Sequence, residues 1–309
     1  MMPKFPHVSC QWLTCYRVSS NCFSDGLQNE RLARGKGLHI GRQEDMFTPD
    51  QDRKEPQMRE KFANYPSLSG KTVFVTGGAS GIGAEIVTAF AKQGAKVGFV
   101  DMDVAGSEAL LAKLEGTHGF APCDLRDIEA LKAAFAQLVE ALGPAEILVN
   151  NAARDDRHDW REVTPEYWDE RQNNNLRHMF FAIQAVADGM IAAGGGSIIN
   201  MGSNSWWEAG GGFPAYTTAK AAVHGLTRTM ARDLGDHRIR VNTVVPGWIM
   251  TERQKQLWVT PEALAKQIDR QCLPDPIDPV YVARMVLFLA SDDSAACSAQ
   301  NFMVEGGSI

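Results

Sequence analysis

From residue 69 onward the apolar positions switch repeatedly between two spacings. KTVFVT (71–76) is a continuous apolar run, a glycine cluster follows it, and GAEIVTAFAKQG (83–94) repeats its apolar residues at helical spacing. That order predicts strand, tight loop, helix. The alternation continues with strand KVGFVD, helix AGSEALLAKLEG, a short strand near Gly119 to Pro122, helix DIEALKAAFAQLVEALG and strand EILVNNA. One long helix is predicted around Trp168 to Ala193, followed by strand SIINMGS, helix AYTTAKAAVHGLTRTMARDLG, strand IRVNTVVPG, helix PVYVARMVLFLAS and a terminal strand NFMVEGG. The strands are apolar throughout rather than at every second position, as expected where both faces of a sheet are covered. Seven strands with intervening helices predict an α/β fold, a doubly wound seven-stranded parallel sheet, in one domain over 67–309.

Residues 1–66 lack both spacings. From Asp25 to Pro66 the chain is polar, broken by Gly and Pro, and carries charge runs such as RQED and DQDRKEP. It cannot bury enough apolar surface to offset its ordering entropy. It reads as a disordered extension, or as chain ahead of a later start at Met46 or Met58; a mitochondrial presequence is the competing reading, because no acidic residue precedes Asp25. Ten Lys/Arg against eight Asp/Glu fall in this segment and 21 against 29 in the remainder. An acidic body is a poor partner for nucleic acid. No apolar stretch reaches the roughly 20 residues that span a bilayer, so the expectation is a cytoplasmic protein with no membrane partner. The six cysteines form no Cys-x-x-Cys pair, and neither a disulfide framework nor a metal site is expected.

TGGASGIG lies between the first strand and the first helix. Gly77, Gly81 and Gly83, with Ser80 and Ile82 between them, can let the backbone approach a pyrophosphate over a helix N-terminus, whose free N–H groups and dipole favour an anion. A glycine turn alone could be a mere connection, and its place between strand and helix is what makes it a dinucleotide site. Asp101 closes the second strand, 18 residues after Gly83. A carboxylate there can accept hydrogen bonds from ribose hydroxyls and would repel a 2′-phosphate, and no Lys or Arg stands between Gly77 and Gly83, so NAD is expected over NADP.

Hydride transfer from a carbinol carbon to nicotinamide requires the hydroxyl proton to leave, and hence a base within hydrogen-bond reach. A free tyrosine, with a pKa of about 10, is too weakly ionised for this at neutral pH. Lys220 stands four residues after Tyr216, one turn on along the same helix face, where its charge is expected to lower the phenol pKa. Ser203 would hold the substrate oxygen.

TGGASGIG, NNAA at 150–153, the spacing of Ser203, Tyr216 and Lys220, and PGWIMT at 246–251 together resemble the short-chain dehydrogenase/reductase family, over residues 67–309. The resemblance implies a Rossmann-like fold and a homotetramer. It implies that Asp124 and Leu125 hold the adenine, that Asn151 borders the cofactor, and that Ile249 and Thr251 contact the nicotinamide amide. It also implies that Asn175 keeps a water in a proton relay to Lys220. Ala153, where Gly is usual, and Asn174, where an apolar residue is usual, depart from the pattern without removing a reactive group.

Trp206, Trp207, Trp248 and Trp258 follow Ser203 or the PG pair, where flat rings suit the C–H face of a sugar. Arg154, Asp155, Asp156, Arg157 and His158 follow the strand-end asparagines and offer hydrogen-bonding groups at the rim of the cleft. Arg154, Trp206 and Trp248 are therefore substrate-side candidates beside Ser203. NNAARDDRHDW, YWDERQNNNLRHMFF, GGGSIINMGS and RQKQLWVTPEALAKQIDRQCLP look like the bacterial sugar 1-dehydrogenases within that family. This implies NAD-dependent oxidation of an aldose at C1 to its lactone, with 251–273 as a mobile lid. Oxidation of a keto-deoxy sugar acid, reduction of a 3-oxoacyl thioester and a catalytically silent NAD sensor are the alternatives.

Overall fold

The computed structural model describes residues 62–309. Seven strands, β1 (Thr72–Thr76), β2 (Lys96–Asp101), β3 (His118–Pro122), β4 (Ile147–Asn150), β5 (Gly196–Met201), β6 (Ile239–Pro246) and β7 (Asn301–Val304), form one sheet in the order 3-2-1-4-5-6-7. Every neighbouring pair is parallel. Helices α1 (Gly81–Lys92), α2 (Val104–Leu111), α3 (Ile128–Leu142), α4 (Pro165–Gln172), α5 (His178–Ala192), α6 (Pro214–Leu234), α7 (Glu252–Leu257), α8 (Pro261–Arg270) and α9 (Pro279–Ala290) connect them.

The continuous apolar runs follow from the two cores. Val73, Val75, Val149 and Ile199 point to one face, against Ile86, Val87 and Phe90 of α1 and Val282, Val286 and Leu289 of α9. Their neighbours Phe74, Leu148 and Ile198 point to the other, against Leu131 and Phe135 of α3, Ile183 and Met190 of α5 and Leu234 of α6. Successive side chains on a strand alternate faces, so covering both faces requires every position to be apolar. The strand order reverses between β1 and β4, which opens a crevice at the carboxyl ends of the strands.

Two predicted helices differ from expectation. The long one is interrupted by a π-helical turn at Asn173–Arg177, between α4 and α5. Such a turn carries an extra residue within the helix and commonly marks a functional position; here it holds Asn175 fully buried. The helix predicted over AGSEALLAKLEG ends at Leu111, because the chain turns at Lys113 and Leu114 and Gly116 takes a left-handed φ of 112° that suits glycine. The reading of 1–66 as disordered falls on residues that lie, up to 61, outside those described. Within 62–66, the Tyr65 amide donates to Gln93 Oε1 at 2.7 Å, and the Arg284 guanidinium lies 5.1 Å from the Phe62 ring centroid and 5.6 Å from that of Tyr65.

A buried polar line crosses the sheet beneath the crevice. Asn150 Nδ2 donates to Asn200 Oδ1 at 2.9 Å, Asn200 Nδ2 donates to Thr227 Oγ1 at 3.0 Å, and the Thr227 and Thr243 hydroxyls are 2.8 Å apart. It ties β4, β5 and β6 to α6. Thr227→Val keeps the shape but leaves the Asn200 amide and the Thr243 hydroxyl without this partner, at a cost of about 1–3 kcal/mol. The expected result is a melting temperature lower by roughly 2–12 °C, measured by calorimetry against wild type; an unchanged transition would show that the line carries no stability.

Candidate active site

The glycine loop is held by the strand next to it. Asn151 Nδ2 donates to the carbonyls of Gly77 at 2.9 Å and Thr76 at 3.1 Å, while the Thr76 hydroxyl accepts from the Asn151 and Ala152 amides at 3.0 and 3.2 Å. A Cβ at Gly77, where φ is 69°, would lie 2.8 Å from Ala152 Cα, and one at Gly83 would lie 1.8 Å from the Gly77 carbonyl oxygen. Side chains cannot occupy these positions, and the backbone forms a cradle over the start of α1. The Ser80 side chain does not cap that helix, which leaves first-turn N–H groups to face the crevice. These residues fit a pyrophosphate.

From the cradle a cleft of about 700 Å³ runs past Asp101, Leu125 and Asn151 to Ser203, Tyr216 and Lys220, and on to Trp248, Ile249 and Thr251. Asp101 is oriented by two amides, with Oδ2 accepting from Ala79 at 2.9 Å and Oδ1 from Asp103 at 3.0 Å. Asp124 is not among the lining residues. Its carboxylate is taken by Arg126, with Nη2 to Oδ2 at 2.6 Å, and only its neighbours Cys123 and Leu125 reach the cleft.

Ser203 leaves β5 and accepts from the Ser205 amide at 3.2 Å. Pro214 opens α6, which carries Tyr216 and Lys220 one turn apart. The Ser203 hydroxyl favours the Tyr216 anion. Lys220 is 1% exposed and donates from Nζ to the Met201 carbonyl at 2.8 Å, with Nζ 5.7 Å from the Tyr216 ring centroid. Burial pulls its ammonium down to about 7, against the opposing pull of the Asp155 carboxylate. Burial, and then Asp155, push the Tyr216 phenol up to about 12, while the Ser203 hydroxyl and Arg157 act the other way. The expected lowering of the phenol by Lys220 is therefore absent in the protein alone. Desolvation of the phenolate dominates, and burial weakens the hold of Lys220 on its own proton.

Asn175 spends its side chain on backbone: Oδ1 accepts from the Arg154 amide at 2.7 Å and Nδ2 donates to the Arg171 carbonyl at 2.9 Å. It thus fixes the loop that begins at Arg154. His178, a residue sequence reasoning passed over as one more helix position, is wholly buried within 3.2 Å of the Ala152 carbonyl, and burial together with the Lys220 charge pulls it down to about 4. It stays neutral.

Of the substrate-side candidates, Ser203, Arg154 and Trp248 line the cleft, and so do Asp155, Arg157 and Trp258. The structure does not bring Trp206 there. Its ring stacks on Trp207 with centroids 3.7 Å apart, and its Nε1 donates to His224 Nε2 at 2.9 Å. That contact is made across 18 residues of sequence and has no local signal. Asp156 and His158 are likewise drawn away, Asp156 by Arg171 at 2.5 Å and Arg253 at 2.6 Å, His158 by the Tyr167 hydroxyl at 3.0 Å. The segment read as a lid forms α7 and α8 and sends Arg253, Gln254, Trp258 and Gln267 to the cleft. Among the described residues there is no group of three or more His, Cys, Asp or Glu arranged to hold a metal ion, and no helix is long and apolar enough to cross a membrane.

A family model described as enoyl-(acyl carrier protein) reductase matches residues 77–308. D-xylose 1-dehydrogenase of Caulobacter vibrioides is 49% identical over 248 residues, 79% of this chain and 98% of that one. A Rhizobium meliloti protein named "Probable galactose dehydrogenase" is 48% identical over 249 residues, 79% of this chain and 97% of its own. The crystal structure of a blue fluorescent protein from a metagenomic library, in complex with NADPH, superposes with a TM-score of 0.73 at 35% identity and covers 78% of this chain and 99% of that one. A glycine cradle at the switch point of a parallel sheet, with Ser203, Tyr216 and Lys220 gathered at the far end of the same cleft, accords with these likenesses: the chain belongs to the short-chain dehydrogenase/reductase family.

Proposed function

We propose that the protein is an NAD-dependent sugar dehydrogenase that oxidises the C1 hydroxyl of an aldose to its lactone. The observation that carries this reading is the convergence of Ser203, Tyr216 and Lys220 in one cleft, in a chain 49% identical to a D-xylose 1-dehydrogenase. A bound nicotinamide supplies the hydride acceptor and, when oxidised, a positive charge. Ser203 hydrogen-bonds the substrate oxygen. Tyr216, as phenolate, takes the hydroxyl proton while the C1 hydride leaves and the carbonyl of the lactone forms. Lys220, held by the Met201 carbonyl, passes that proton onward in its neutral form. Asn175 acts as a positioning residue, through the 154–157 loop rather than through a free amide.

Preference for NAD rests on Asp101, whose carboxylate is aimed along the cleft wall by the Ala79 and Asp103 amides. Unit charges about 4 Å apart interact by about 1–4 kcal/mol near a surface, enough to discriminate against a 2′-phosphate by fivefold or more. Ile249, Thr251 and the Asn151-clamped loop complete the cofactor walls in this reading, with Leu125 beside the adenine. The same reading includes assembly into a homotetramer, which analytical ultracentrifugation checks directly.

Tyr216→Phe is expected to reduce turnover of D-xylose by roughly 10²–10⁴-fold with NAD binding retained; normal turnover would remove Tyr216 from the base role. Asp101→Ser is expected to lower the ratio of kcat/KM for NAD over NADP by about fivefold or more, and an unchanged ratio would transfer cofactor choice to another residue. The raised phenol sets the sign of the pH effect: more Tyr216 is ionised as pH rises, so kcat/KM for oxidation climbs from neutral into the alkaline range. The positive nicotinamide brings the inflection below about 12. A flat profile between about pH 6 and pH 10 would contradict this role.

A further inference from the structure

The carboxylate nearest in effect to the reacting pair is Asp155, whose charge acts on both Tyr216 and Lys220. It lines the cleft, and its side-chain hydrogen bond falls on one of its two oxygens. Trp248 Nε1 can only donate, and it does so to Gln254 Oε1 at 2.8 Å. That contact orients the Gln254 amide, so that Nε2 must face the other way, where it donates to Asp155 Oδ2 at 2.8 Å. The second oxygen, Oδ1, has only the 3.9 Å approach of Arg253, and Arg253 is itself committed to Asp156 at 2.6 Å. Asp155 Oδ1 thus keeps acceptor capacity within the cleft.

We propose that Asp155 selects the substrate: Oδ1 accepts hydroxyl donors of a neutral polyhydroxyl compound next to the reacting carbon, and its charge excludes the carboxylate of a sugar acid. This rests on the sugar-oxidising reading above and deepens it by choosing between two substrate classes with the same reaction. A carboxylate accepts hydrogen bonds and donates none, so its complement is a set of hydroxyls. The neighbouring cations do not reverse the field. Arg157 lies over the Phe213 ring, 3.8 Å from its centroid, and acts on Tyr216 less than Asp155 does. Arg154 stands on the exposed rim. Among the charges that act on the reacting pair Asp155 has the largest effect, and a like charge brought beside its carboxylate is disfavoured. Gln254 is the positioning residue that presents the carboxylate, with Trp248 behind it.

The test uses the whole chain with wild type, Asp155→Asn and Asp155→Glu, and reads two quantities. One is NADH formation with D-xylose, other aldoses and the matching aldonates; the other is binding of the same sugars to the NAD complex, followed by the fluorescence of the cleft tryptophans. Asp155→Asn keeps an oxygen for the Gln254 amide but loses the charge. It is expected to lower the neutral-to-anionic selectivity in kcat/KM and in binding by about tenfold or more, chiefly through KM, and Asp155→Glu is expected to restore part of it. Selectivity unchanged in Asp155→Asn, in an enzyme that oxidises aldoses, overturns this inference and leaves the sugar reading intact. Absence of aldose-dependent NADH in wild type overturns the sugar reading; a binding preference for neutral sugars that Asp155→Asn abolishes would then still uphold the role of Asp155. Failure of wild type to bind any neutral sugar overturns both.

Discussion

The reactive end of the cleft depends on how α6 is fastened to the sheet. A helix packed only by Ala219, Val223, Ala231 and Leu234 could slide or rotate slightly with little change in buried apolar area, because apolar contact is not directional. Hydrogen bonds are directional. Thr227 stands seven residues after Lys220 on the same helix and meets Asn200 of β5 and Thr243 of β6, while Lys220 itself meets the Met201 carbonyl at the end of β5. These two attachments, two turns apart, fix the rotation and the height of α6, and with them the position of the Tyr216 phenol against Ser203.

The same burial that fixes these groups moves their proton affinities. Taking a phenol out of water disfavours its anion, and taking an ammonium out of water disfavours its cation, so Tyr216 goes up and Lys220 comes down. Their shifts place a neutral phenol beside an amine that gains or loses its proton close to pH 7. A base of this kind becomes effective only when positive charge arrives beside it, which links proton transfer to cofactor binding. His178, kept neutral behind Lys220, adds no competing cation. Asp155 raises the proton affinity of both partners, adding to burial at Tyr216 and opposing it at Lys220.

Three separate chain segments build that substrate end. The loop after β4, the turn after β6 and α7 meet through Asp155, Gln254 and Trp248, and Arg171 of α4 backs them by pairing with Asp156, which also takes Arg253. Arg171 is 10% exposed in its side chain, and the Asp156 carboxylate, by taking Arg253 of α7 as well, ties α7 to the rim of the cleft. Asn175 supports the loop from beneath by holding the Arg154 amide, which the π-helical turn makes possible by turning the residue inward.

The sequence by itself determined the sheet, its two-faced burial, the glycine cradle, Asp101 and the Ser203, Tyr216, Lys220 set. Each of these is written in residues close together in the chain: a strand in its apolar run, the cradle in glycines spaced over one loop, the base and its lysine in one helical turn. Only the tertiary structure decided which of the tryptophans and charges reach the cleft. Trp206 is drawn to His224, Asp124 to Arg126 and Asp156 to Arg253, while Asp155 stays because Gln254, 99 residues away, holds it. Such partners are set by where separate loops come to lie at the ends of the strands. The direction of the Tyr216 shift was likewise decided by burial, since a one-turn spacing gives the distance between two groups but not the amount of water removed from each.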